Sequence, residues 1–126
     1  MKLEMPLAIQ LGKKKYSISL NTYRNLHYQI NNKLKKTYKE IVESKIWKAK
    51  EKLSWVWLTF YYHNPTKRKS DLDNVCWIHC KFLQDALVEL WYIEDDNYDY
   101  IQQIRYIYWW YIKNCETIDI LITEFF

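Results

Sequence analysis

Glycine is almost absent from this chain: Gly12 is the single one in 126 residues, against an average usage of about 7%. Few turns can therefore use glycine to reach the left-handed backbone region. Asn and Asp are expected to serve instead, with Asn31, Asn32, Asn64, Asn97 and Asn114 at element boundaries. Cysteine is scarce too, and Cys76, Cys80 and Cys115 are expected to stay reduced. No apolar run approaches the roughly 20 residues needed to span a bilayer. The opening MKLEMPLAIQL contains an acid and a proline and lacks both a proper apolar stretch and a cleavage site. A cytoplasmic chain without a membrane partner is expected. Neither an internal repeat nor a linker divides it.

What is present fits one globular domain over residues 1–126, with 49% hydrophobic and 27% charged residues and enough length for a modest core. The abundance of Lys, Ile, Asn and Tyr suggests an AT-rich coding sequence, as in a bacterial, phage or mobile-element source. Net charge is +4 and the pI about 8.8. The distribution says more. Lys33, Lys35, Lys36, Lys39, Lys45, Lys48, Lys50 and Lys52 crowd one segment, and Lys13, Lys14 and Lys15 form a second cluster. Such clusters are either a phosphate-backbone footprint or a solvated helix face.

Periodicity predicts a hairpin over 7–11 and 15–20, turning at Gly12, Lys13 and Lys14. Residues 21–30 read as irregular. Asn31 or Asn32 can cap a helix running to about residue 50, with Leu34, Tyr38 and Ile41 at helical spacing. Residues 54–62, SWVWLTFYY, read as a strand that His63, Asn64 and Pro65 end. A second helix is expected from residue 72 or 73 to 90, a turn at 95–99, and strands at 100–112 and 117–124. The predicted order is β-β-α-β-α-β-β: an α+β fold with a mostly antiparallel sheet and two main helices.

The chemistry is concentrated in residues 67–96, KRKSDLDNVCWIHCKFLQDALVELWYIEDD. Asp71 and Asp73 stand two apart, Lys81 follows on the second helix, and Asp95 and Asp96 form a pair beyond it. Mg²⁺ takes oxygen ligands and typically borrows one or two carboxylates. Such an ion can activate water against a phosphodiester, while an ammonium group offsets the charge that builds up. Lys67, Arg68 and Lys69 stand directly in front.

These residues resemble the RusA-type Holliday-junction resolvases, the crossover junction endodeoxyribonucleases. The matching pieces are D-L-D-N at 71–74, K-F-L-Q-D-A-L at 81–87 and D-D at 95–96, with a weaker match at Leu20-Asn21-Thr22-Tyr23-Arg24. The resemblance implies a homodimer that binds four-way DNA junctions and nicks two strands symmetrically with Mg²⁺ or Mn²⁺, in DNA recombination and repair. It puts Asp71, Asp73 and Asp96 on the metal ligands and Lys81 on the essential lysine, with Asp85 and Asp95 in supporting roles. Lys67, Arg68, Lys69, Arg24, Lys35 and Lys36 are the expected DNA contacts. Two departures stand out. The gap from Asn74 to Lys81 is four residues longer than in short family members, about one helical turn. Trp91 or Tyr92 occupies the place of the family's glycine turn. The second helix is also about 27 Å long, so its two ends can share an ion only if the chain folds back or a partner subunit supplies an acid.

Two rivals follow from the same residues. One is a catalytically inactive junction- or DNA-binding protein of this fold. The other is a zinc-stabilised module on Cys76, His79 and Cys80, although the second ligand pair of a usual zinc knuckle is missing. Seven tryptophans and twelve tyrosines make the chain rich in aromatics. Trp55, Trp57, Trp109 and Trp110 are expected mainly in core and dimer packing, with a stacking platform for unpaired bases as the alternative.

Overall fold

Nine elements arise from the sequence patterns in a computed structural model that describes residues 1–46 and 52–124. They are β1 (Lys2–Pro6), β2 (Ala8–Leu11), β3 (Lys14–Ser17), α1 (Leu20–Asn25), α2 (Tyr28–Lys45), β4 (Val56–Tyr62), α3 (Leu72–Glu89), β5 (Ile101–Tyr108) and β6 (Thr117–Glu124). The main sheet has the order β1-β6-β4-β5, and β2 and β3 form a separate hairpin. Neighbours pair antiparallel except β4 and β5, which run parallel. Parallel neighbours need a long crossover, and α3 supplies it. The α+β class with a mostly antiparallel sheet therefore stands, with one strand and one helix more than the sequence pattern suggested.

Alternation decides which face is dry. Val56, Leu58, Phe60 and Tyr62 of β4, Ile118, Ile120 and Ile122 of β6, and Leu3 and Met5 of β1 are buried. They join one core with Leu34, Tyr38 and Val42 of α2 and Val75, Ile78, Phe82, Leu83 and Leu87 of α3. Phe60 has no exposed surface and sits in an inner strand of the sheet, so Phe60→Ala should cost about 3–5 kcal/mol.

Several boundaries differ from the expected ones, each for a local reason. The Leu3 and Met5 alternation makes β1, which pairs with β6 from Lys2↔Leu121 to Pro6↔Thr117. Residues 20–25 are helical because the Ser19 hydroxyl caps them, accepting from the Thr22 N–H at 3.3 Å. The same cap ends β3 at Ser17. The N-cap of α2 is His27, whose Nδ1 accepts from the Gln29 N–H at 3.2 Å, not Asn31 or Asn32. Asn31 instead donates to the Tyr23 carbonyl at 2.9 Å. α2 ends at Lys45, and the expected extension over 47–50, with Lys48 and Lys50, lies outside the described residues.

β5 stops at Tyr108, so Trp109 and Trp110 lie beyond the strand rather than on its two faces. Among the described residues the positive-φ positions are Gly12, Trp55, Trp91 and Asn114. Asn114 was foreseen, while Asn31, Asn32, Asn64 and Asn97 are not among them. No helix among the described residues is long and apolar enough to cross a membrane.

Candidate active site at the start of α3

Asp71 occupies the N-cap of α3, yet its carboxylate makes no capping hydrogen bond. Asp73 lies in the first turn and is exposed. Neither acid takes part in an ion pair among the described residues. Both line a hollow of about 710 Å³ that also receives Arg24, Arg68 and Lys69. Three cations and two carboxylates thus face one space without pairing among themselves.

Local structure explains how distant segments meet there. The Asn74 side-chain oxygen accepts from the Asn21 N–H at 3.1 Å, which ties the start of α1 to the start of α3 and brings Arg24 alongside. The basic loop is pinned by Asn64, a buried residue. Its amide donates to the Arg68 carbonyl at 2.6 Å, and its oxygen accepts from the Thr66 N–H at 3.1 Å. Tyr62, whose phenol is pushed up by burial and drawn back by a hydrogen bond with Ser70, closes the inner side. Asn64 and Asn74 escaped the sequence reading as site residues. The Asn-Pro dipeptide and the D-L-D-N string were the signals that could have found them.

The remaining expected site residues lie elsewhere. Asp96 lines a smaller hollow of about 290 Å³ along the middle of α3, with Trp77, Lys81, Asp85 and Tyr106. The chain does fold back along β5, but it carries Tyr108, not Asp96, to the start of α3, since Asp96 precedes the strand. Among the described residues, no three His, Cys, Asp or Glu side chains converge as a metal site. Asp96 lines the hollow beside the middle of α3 and not the one that Asp71 and Asp73 share. Asp71 and Asp73 alone still suit Mg²⁺, which accepts one or two carboxylates and keeps several waters.

Lys81 is likewise displaced. It lies eight residues after Asp73, roughly 12 Å along the axis, and its Nζ is 5.9 Å from the ring centroid of Trp77. Trp77 holds the place one turn nearer the acids, where a four-residue shorter gap would put the lysine.

Asp85 pairs with Lys35 at 2.8 Å, and Glu89 pairs with Lys39 at 3.0 Å and Lys35 at 4.0 Å. Lys35 is thus turned to α3 and held protonated, chiefly by its hydrogen bond to Asp85. It does not line the Asp71 hollow, and Lys36 is exposed on α2. Asp95 is engaged in its own turn, accepting from the Asp96 N–H at 2.8 Å and the Asn97 amide at 3.0 Å. Asp96 is pushed up by partial loss of hydration and then by the adjoining Asp95 carboxylate.

Cys76, His79 and Cys80 belong to the core. Burial drives the His79 pKa down to about 3, and its Nδ1 is 2.9 Å from the Tyr38 hydroxyl. Burial also pushes the Cys76 thiol up to about 12. The Cys80 sulfur accepts from the Gln84 amide at 2.8 Å. Zinc needs thiolates, so this trio reads as packing and not as a ligand set.

No protein-family model matches the sequence, and a comparison with curated proteins finds no match.

Proposed function

We propose that the chain is a divalent-metal-dependent endodeoxyribonuclease that resolves four-way DNA junctions by paired, symmetric nicking. The observation that carries this is the shared hollow of Asp71 and Asp73 with Arg24, Arg68 and Lys69. A lone basic patch would bind DNA and a lone acid pair would bind a cation. Both together are what phosphodiester hydrolysis needs.

Asp71 and Asp73 would hold Mg²⁺, or Mn²⁺ in its place. The ion, when bound, supplies charge neutralisation at the phosphate and an activated water. Arg68 and Lys69 grip the backbone on either side of the scissile phosphate. Arg24 offsets the charge developing on it, the role the sequence pattern suggested for Lys81. A homodimer would present two such sites to opposed strands, matching the two-fold symmetry of a junction.

The displacement of Lys81 and Asp96 from the hollow favours a second reading, a junction-binding protein that has lost turnover. Cleavage of a labelled immobile junction in Mg²⁺ separates the two, with linear duplex as control and Asp71→Asn as the inactive variant. Paired nicks made by the wild type and lost in Asp71→Asn support the nuclease. Tight junction binding without nicks from either protein supports the binding protein.

A further inference from the structure

Five consecutive large apolar residues follow β5 or end it, and all stand in solvent. Tyr108, Trp109, Trp110, Tyr111 and Ile112 are between 36% and 49% exposed. An exposed apolar run of this length marks a contact surface, and its surroundings indicate what it contacts.

The run is held rigidly beside the basic loop. The Trp109 N–H donates to the Tyr62 carbonyl at 3.0 Å, Ile112 to Asn64 at 3.1 Å and Asn114 to Pro65 at 3.0 Å. His63 stacks on Trp109 at 5.6 Å with planes 19° apart, and its Nδ1–H donates to the Trp110 carbonyl at 3.1 Å. These bonds place Tyr108 and Tyr111 across from Lys67 and Lys69, around a hollow of about 650 Å³. Asp71 lines this hollow as well as the first. One wall is aromatic, the other cationic, and the shared edge is the candidate catalytic acid.

We propose that this hollow binds unpaired nucleotides of single-stranded DNA, their bases stacking on Tyr108 and Tyr111 and their phosphates meeting Lys67 and Lys69. Stacking faces alternating with cations are the chemistry of single-strand binding, where each base contributes about 1–3 kcal/mol whatever its identity. Duplex DNA cannot use the slot, because its bases are already stacked on each other. The strand that passes through it runs on past Asp71. The proposal rests on the chain acting on DNA, and adds that the substrate is opened next to the cut.

Fluorescence anisotropy in EDTA tests it without cleavage, using labelled oligothymidylate and a duplex of equal length. The wild type should bind the single strand more tightly than the duplex. The double variant Tyr108→Ala/Tyr111→Ala should lose at least about tenfold on the single strand and under about twofold on the duplex. Tyr108→Trp/Tyr111→Trp, which keeps the stacking faces, should restore the single-strand affinity. Tyr108→Leu/Tyr111→Leu, which keeps apolar volume for folding without a ring face, should not.

Equal loss on both DNAs, or no loss on the single strand, overturns the proposal while leaving the nuclease reading intact. A change in oligomeric mass in the tyrosine variants with unchanged DNA affinity also overturns it, because the surface is then a contact between copies. Failure of the wild type to bind either DNA would remove the slot proposal and the DNA reading together.

Discussion

The two ends of α3 carry the same kinds of charge and use them in opposite ways. At the far end, Asp85 and Glu89 are closed onto Lys35 and Lys39 from α2, with contacts of 2.8 and 3.0 Å. At the near end, Asp71 and Asp73 share a hollow with Arg24, Arg68 and Lys69, and no ion pair joins them among the described residues. Closed pairs fasten one helix to another. Charges left open next to one another, at some cost in mutual desolvation, are what a site for a metal ion and a phosphate requires. Between the two ends runs a dry stretch in which Cys76, His79 and Cys80 are buried.

The largest effect should come from stripping the near end of its cations. Replacing Lys67, Arg68 and Lys69 together by Ala removes up to three phosphate contacts. The slope of log affinity against log salt for DNA should then fall by about 0.9 per contact. Lys35→Ala/Lys39→Ala should leave that slope unchanged. A salt titration of DNA binding reads both, and equal slopes in the two variants would erase the distinction between the ends.

The middle of α3 responds to acid. His79 is neutral in the fold, with its pKa lowered to about 3, whereas in the unfolded chain it titrates near 6.5. Below that value the unfolded chain takes up a proton that the fold refuses. The stability is therefore present above about pH 6.5 and lost as pH falls toward 3. Asp96, raised in the fold, works weakly in the opposite sense. Urea unfolding should show wild type losing about 2 kcal/mol between pH 7 and pH 5, at about 1.4 kcal/mol per unit. His79→Gln, which keeps a polar group for Tyr38, should flatten that profile.

The helix end itself offers a smaller effect. The Trp91 N–H bonds to the Val88 carbonyl at 3.1 Å and the Tyr92 N–H to Leu87 at 2.9 Å, the two bonds of a Schellman turn. Trp91 sits in it at φ 66°, where a side chain costs about 1–2 kcal/mol. Its ring lies 4.9 Å from the Lys52 ammonium, which offsets part of that. Trp91→Gly should be more stable than Trp91→Ala by about 1 kcal/mol in thermal unfolding, since neither variant keeps the ring. Smallest of all, a double-mutant cycle on Lys35 and Asp85 should give a coupling of about 0.2–1 kcal/mol, because both side chains remain partly open to water.

The long elements were legible because their patterns are local. α3 follows the apolar line of Val75, Ile78, Phe82 and Ala86, and β6 the alternation of Ile118, Ile120 and Ile122. α1 was not legible, since its signal is a single serine cap whose competitor was a continued strand. The aromatic run after β5 read as strand because Tyr, Trp and Ile favour strands. Its exposure is set by the His63, Asn64 and Pro65 break in the neighbouring β4, a tertiary fact.

In the site, Asp71, Asp73, Arg68 and Lys69, close in sequence, line one hollow with Arg24, which only the resemblance had suggested. Lys81 did not, because a helix keeps its members about 1.5 Å apart per residue however suggestive the motif, and Asp96 lines a neighbouring hollow instead. The left-handed turn, by contrast, falls on Trp91, one of the two residues that stand where the resemblance expected a glycine.

The most direct test of the difference between the ends of α3 is the rate of junction cleavage in Mg²⁺ by Asp73→Asn and Asp85→Asn, measured against wild type. Asp73→Asn should lose more than the roughly 10- to 100-fold typical of residues one step removed from a metal. Asp85→Asn should stay within about tenfold, below that range. Equal losses in both would contradict the account, because the far end of α3 would then be as much a part of the chemistry as the near end.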